Sequence, residues 1–184
     1  PRLLFMFALG GFHGSLGWYV VSSGLMENVR VSHFRLAIHL SFAFITFGYV
    51  FKTALGLIFP SQHPRAAALG PLHKETDAIL LLLVLQIIYG AFTAGTKAGW
   101  VYNTWPLMGD SFIAESVPYA FEKMGLSSLV NNIASIQFIH RVLAYILYGW
   151  VLIFGIHMLR SNDCDSGQRN AAILMLVVIH AQVL

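Results

Sequence analysis

The stretch IASIQFIHRVLAYILYGWVLIFGIHML, residues 133–159, is an almost unbroken apolar run that carries a histidine and an arginine side by side at His140 and Arg141. A hydrocarbon core of about 30 Å is crossed by about 20 apolar residues in a helix. Backbone amides within it must be satisfied inside the segment, which leaves the α-helix as the form such a run takes. Working outward, similar runs occupy about Leu3–Ser23, Ser32–Phe59 and Ala78–Lys97, and a fifth begins near Ala171 and continues to Leu184. Over all 184 residues the chain is 57% hydrophobic and only 10% charged. Soluble domains carry roughly a quarter charged residues, so this composition cannot clothe a water-facing surface. The expected fold class is all-α, a polytopic membrane helix bundle.

The net charge of +3 does not point to nucleic acid, because the 11 Lys and Arg are scattered through apolar sequence without a basic run or stripe. The single cysteine, Cys164, excludes a disulfide framework or a CxxC metal site within the chain. Between the spans lie a short turn (Gly24–Val31), a basic inner loop (60–77), a long outer loop (98–132) and a short polar loop (Arg160–Asn170). Positive charges near span ends mark the inner side. Arg2, Lys52, Arg65, Lys74, Arg160 and Arg169 fall on one side, against Arg30, Arg35, Lys97, Lys123 and Arg141 on the other. The first set is taken as cytoplasmic or matrix-facing. Residues 1–9 enter apolar sequence at once with no initiator Met, and 171–184 stop within another apolar run, so a segment of a longer chain is expected. The start does not read as a signal peptide.

Small residues mark where helices can touch: Gly10, Gly14 and Gly17 in the first span, and Ala91, Gly95 and Gly99 in the third. Tight packing alone accounts for them.

His13, His39, His140, His157 and His180 all lie in apolar spans, where an ionisable side chain is costly and points to function. His39 and His140 each stand seven residues into their spans, which enter from the same side, so at 1.5 Å per residue both lie about 10 Å down. Four residues beyond each is a small side chain, Ala43 or Ala144, leaving room for a flat macrocycle. Arg35, four before His39, can meet an acidic group, and Gln137, three before His140, can orient the imidazole or a bound group. Arg141 lies about 100° round the helix from His140, which weakens its claim. Haem needs only one or two imidazoles and an apolar slot, unlike zinc, which needs four converging ligands. The competing reading of each histidine is a hydrogen bond to a neighbouring helix; His157, near the inner end of its span, can snorkel. In the outer loop, GWVYNTWPLM (99–108) reads either as an interfacial aromatic anchor or as a pocket cap in which Asn103, Thr104 and Pro106 make a polar turn beside Trp105.

Four segments, LGWYVVSSGL (16–25), RVSHFRLAIHL (30–40), GAFTAGTKAGWVYNTWPLM (90–108) and NIASIQFIHRVLAY (132–145), together resemble the haem A synthases of alphaproteobacteria and mitochondria, in that family's order and spacing. The resemblance implies eight helices in two pseudo-symmetric four-helix bundles, of which this chain matches about the third to seventh. Residues 1–59 would be the last two helices of the N-terminal, substrate-haem bundle. Residues 60–77 would be an inner loop, and 78–184 the first three helices of the C-terminal, haem b bundle. His39 then matches a ligand to the substrate haem iron and His140 a ligand to the haem b iron, with Arg35, Arg141, Gln137, Asn103 and Trp105 around the two haems. The family's ExxHR segment, which carries the catalytic Glu, has no counterpart here, so the resemblance assigns no catalytic residue. Asn131 stands where the family has Glu, and His13 where it has Gln.

The activity implied is oxidation of the C8 methyl of haem O to the formyl group of haem A, for cytochrome c oxidase. Haem b is the implied cofactor, and haem O synthase the implied supplier of substrate. The setting is a bacterial plasma membrane or a mitochondrial inner membrane, with an electron donor that the residues do not name and room for a homo-oligomer. A b-type di-haem electron carrier, with no chemistry on the macrocycle, fits the matched histidine depth equally well. A haem-free packing or assembly subunit is the third reading.

Overall fold

The computed structural model describes residues 2–22, 32–58 and 70–183. Along the chain run α1 (Arg2–Ser22), α2 (His33–Ile58), α3 (Gly70–Thr96), α4 (Ala98–Val101), α5 (Ser116–Met124), α6 (Ser128–Asn131), α7 (Ile133–Arg160) and α8 (Ser166–Val183). No strand occurs among the described residues beyond an isolated bridge between Met108 and Ser111. Among them, α1, α2, α3 from Leu72 and α7 are long and apolar enough to cross a membrane. The chain is an integral membrane protein, an all-α polytopic bundle.

Three element boundaries differ from the sequence reading, each for a local reason. The third span was expected from Ala78, but α3 starts at Gly70, so 70–77 is helical and not loop. Thr76 in this added stretch donates its hydroxyl to the Leu72 carbonyl at 2.8 Å. The fifth helix was expected from Ala171 and begins at Ser166. The Asp165 side chain accepts the Gln168 amide at 2.9 Å while the Gln168 side chain accepts the Asp165 amide at 2.9 Å. That reciprocal capping box lets a polar first turn start the helix. The outer loop 98–132 is largely helical, containing α4, α5, a 3-10 turn at Gly125–Ser127 and α6. The expected turn Gly24–Val31 and residues 60–69 of the inner loop lie outside the described residues.

Two other boundaries follow the reading closely. Lys97, at φ 57°, takes the left-handed conformation and ends α3. Asn132 caps α7, its side-chain oxygen accepting the Ser135 amide at 3.0 Å and the Ser135 hydroxyl at 3.3 Å.

The chain divides into two compact units, Pro1–Ser61 with Leu85–Arg141 and Gln62–Val84 with Val142–Leu184. In the first, α1 and α2 pack antiparallel: Phe5 meets Tyr49 edge-on at 4.9 Å, and Phe12 meets Phe42 at 4.8 Å. Its core gathers Ala37, Ala91, Phe92 and Ile136, with Leu36, Leu40 and Ile88 against them. The two alanines bring α2 and α3 close, as small side chains do between membrane helices. The second unit is built on Ile79, Leu147, Val151 and Phe154, flanked by Met158, Met175 and Ile179.

Within each unit one glycine marks a close approach. A Cβ on Gly95 would stand 2.8 Å from the His33 Cα, in the backbone of α2, whereas one on Gly155 would meet the Leu176 side chain, its Cδ2 methyl at 2.7 Å and its Cγ at 2.8 Å. Backbone cannot yield, but a leucine tip can rotate. Gly95→Ala is therefore expected to cost about 1–3 kcal/mol, the range for overpacking. Gly155→Ala should come out near neutral, because alanine's helix preference of roughly 0.5–1 kcal/mol offsets a small shift of Leu176. Thermal unfolding of the two variants in detergent checks the order, and a Gly155 variant less stable than the Gly95 variant would contradict it.

Candidate functional site

Both histidines singled out at matched depth fall in the first unit, and each is half-buried against a glycine of a facing helix. A Cβ on Gly17 of α1 would lie 3.2 Å from His39 Cε1, and one on Gly90 of α3 would lie 3.3 Å from His140 Cε1. Gly17 was noted in the sequence as a packing residue, but Gly90 was not singled out. In both rings Nδ1 is buried without a hydrogen-bond partner among the described residues. An unsatisfied polar atom in such surroundings is costly unless something completes it.

His13, one turn before Gly17 on α1, lies flat on His39, with ring centroids 4.4 Å apart and planes 9° from parallel. Its Nδ1 is likewise buried and unpartnered. Two imidazoles binding one iron from opposite sides meet it edge-on with the metal between them. A face-to-face stack leaves no room for that, so this geometry excludes His13 and His39 as a pair on a single metal. Arg35, one turn before His39, holds its guanidinium 4.5 Å above the Tyr19 ring, a cation–π contact, and forms no ion pair among the described residues. An apolar groove of about 450 Å³ runs between Phe12 and Leu16 of α1, Ile38 and Phe42 of α2, and Ile88 and Phe92 of α3. His39 does not line it.

Around His140 the polar groups divide into two sets. Gln86 and Thr93 flank Gly90 on one face of α3, four before and three after, and Gln86 Oε1 and Thr93 Oγ1 are buried without partners. Gln137 and Arg141 turn to the outer loop. Arg141 donates to the Leu107 carbonyl at 3.0 Å and to the Tyr102 carbonyl at 2.6 Å. The Gln137 amide donates weakly to the same Tyr102 carbonyl at 3.4 Å, while its Oε1 remains buried and unpartnered. The loop between these carbonyls closes on itself: Thr104 Oγ1 donates to the Leu107 carbonyl at 2.8 Å and accepts the Gly109 amide at 2.9 Å. Tyr102 reaches Ser116 at 2.8 Å. Asn103 and Trp105 are exposed on this clamped turn.

The other histidines are locally engaged. His180 Nδ1 lies 2.7 Å from the Leu176 carbonyl, with the ring edge-on to Tyr148. His157 Nδ1 lies 3.6 Å from a Glu75 carboxylate oxygen. His33, which the sequence reading did not single out, ties α2 to the outer loop through a 2.9 Å hydrogen bond between Nε2 and the Val130 carbonyl. Its only signal in the sequence is its place in the quoted segment RVSHFRLAIHL.

Among the described residues no group of three or more His, Cys, Asp or Glu converges as a metal cage. The donors present are single imidazoles in apolar surroundings, which suit a metal that brings its own equatorial nitrogens. Two substitutions test the geometry. Gly90→Val should displace His140, while Gly10→Val, where a Cβ meets nothing within 4 Å, should be silent in the solvent exposure of His140 measured by carbethoxylation. Arg141→Gln should raise amide exchange over residues 102–109 about tenfold, as loss of a charged clamp on two carbonyls releases the turn; unchanged exchange would show the loop is held by other contacts.

The chain matches the family model described as Cytochrome oxidase assembly protein, COX15-CtaA, over residues 1–184. It is 39% identical to a protein of Flavobacterium johnsoniae named Heme A synthase, over 100% of this chain and 53% of that protein. It is 45% identical to a Heme A synthase of Rhodospirillum centenum over 79% of this chain and 38% of the relative, and 44% identical to one of Parvibaculum lavamentivorans over 80% and 41%. The chain thus spans about half the length, or less, of these relatives. No solved structure matches it.

Proposed function

Because the chain belongs to the COX15-CtaA family of cytochrome oxidase assembly proteins, we propose that it is part of a haem A synthase, a membrane oxidoreductase that converts the C8 methyl of haem O to a formyl group. The observation that carries this reading is the pair of glycine-seated imidazoles, Gly17 with His39 and Gly90 with His140, in a chain that matches the family throughout.

His39 would hold the substrate, haem O, through its imidazole, and His140 would hold haem b in the same way. In each ring the buried Nδ1 leaves Nε2 as the donor. Haem b, when bound, supplies a one-electron redox centre. The chain's own residues bind, orient and exclude water. The two glycines set how far each imidazole stands from the facing helix. Arg35, one turn from His39 and without a carboxylate partner among the described residues, meets an acidic group of the substrate. Arg141 and Gln137 hold the turn that carries Asn103 and Trp105 at the mouth of the site. On this reading, residues 1–59 are the last two helices of an N-terminal bundle and 78–184 the first three of its pseudo-symmetric partner. Haem O comes from the enzyme that makes it, and the product serves cytochrome c oxidase.

Extracting the pigment from protein purified out of the membrane tests the activity. Haem O, haem A or the hydroxylated intermediate beside haem b is expected, and haem b alone would instead mark an electron carrier. His140→Ala should cut haem b content to about a tenth or less, since a single lost ligand typically costs that much or more. Normal haem b in that variant, with the helices still inserted, would refute the role given to His140.

A further inference from the structure

The rotation of an imidazole about its Cβ–Cγ bond is a soft torsion, broad and roughly two-fold, so something outside the side chain must set it. For a metal-binding histidine the usual device is a hydrogen bond from the other ring nitrogen to a carboxylate or carbonyl. Among the described residues His39 lacks it, because its Nδ1 is buried with no partner there. What the ring has instead is an edge on Gly17 and a face on His13, 4.4 Å away and 9° from parallel. His13 is held in turn by Phe42, whose ring lies 6.2 Å from it and 17° from parallel. A stack covers the face of an imidazole but leaves its in-plane lone pairs free.

We propose that His13 is a positioning residue for His39: by lying flat on that imidazole it fixes the plane in which His39 presents Nε2 to the iron of the bound macrocycle. The proposal rests on the reading of His39 as an axial ligand. His13 supplies no lone pair of its own to that iron, since a ring stacked face-on cannot also reach the metal from the opposite side. What the position needs is a flat ring, not a nitrogen.

The orientation of a ligating imidazole plane contributes to the rhombic splitting of a ferric haem signal, which electron paramagnetic resonance reads directly. The experiment uses the haem-loaded protein in mild detergent, with helix content checked by circular dichroism. The signal lost in His39→Ala belongs to this site. In His13→Ala that same signal should shift and broaden, and haem retention on dialysis should fall about three- to tenfold, the loss expected for one aromatic stack. His13→Phe, which keeps a flat ring without the nitrogens, should restore the signal and bring retention back to within about twofold of the parent. A His13→Ala spectrum that matches the parent, or a His13→Phe variant that behaves like His13→Ala, overturns the proposal while leaving His39 a ligand. A His39→Ala spectrum with no signal lost overturns the ligand reading, and this proposal with it.

Discussion

An imidazole on one membrane helix reaches the backbone of the next only where that next helix has no Cβ in the way. The first unit repeats this constraint twice, His39 against Gly17 and His140 against Gly90, while at Gly95 it is the His33 backbone of α2 that comes close. A Cβ at Gly95 would stand too close to the α2 backbone to be accommodated and one at Gly17 or Gly90 would crowd its imidazole, so the approach of α1 to α2, of α2 to α3 and of α3 to α7 depends on these glycines. In a bilayer, where apolar surface gains nothing by leaving lipid for protein, close van der Waals approach of this kind is what holds helices together. The same glycines that bring the helices close therefore also place the imidazoles, and a site is built by the packing itself.

Hydrogen bonding then sorts the histidines. His33 and His180 each have a ring nitrogen beside a carbonyl, and His157 faces a carboxylate. Those three are accounted for as ties between or within elements. His13, His39 and His140 keep a buried Nδ1 with no partner. His13 and His39 lie face to face, each covering the other. Arg141 shows a related division of labour. A guanidinium near the end of an apolar span is expensive, and here its charge is met by two loop carbonyls. The cation beside His140 thus fastens the outer-loop turn, whereas Arg35 rests its guanidinium on the Tyr19 ring.

Much of the architecture was legible because hydropathy is a local property. The spans at α1, α2 and α7 were placed to within a residue or two, since the bilayer demands an apolar run of set length wherever a helix crosses. The same reasoning erred at the starts of α3 and α8, where polar turns join a helix through side-chain hydrogen bonds that hydropathy does not register. It erred again in the outer loop, whose short helices α4 and α6 hold only four residues each and show no period.

By itself, then, the order of residues determined the membrane class, four crossing segments and two imidazoles each seven residues into an apolar run, because each depends on neighbours within one helix. Only the tertiary structure decided that His13 covers His39, that Gly90 seats His140, and that Arg141 holds carbonyls up to 39 positions away. These contacts join groups on separate elements. They exist only once the helices dock, and the distance of docking is set by the absence of a Cβ at a few glycines, whose partners no local pattern reveals.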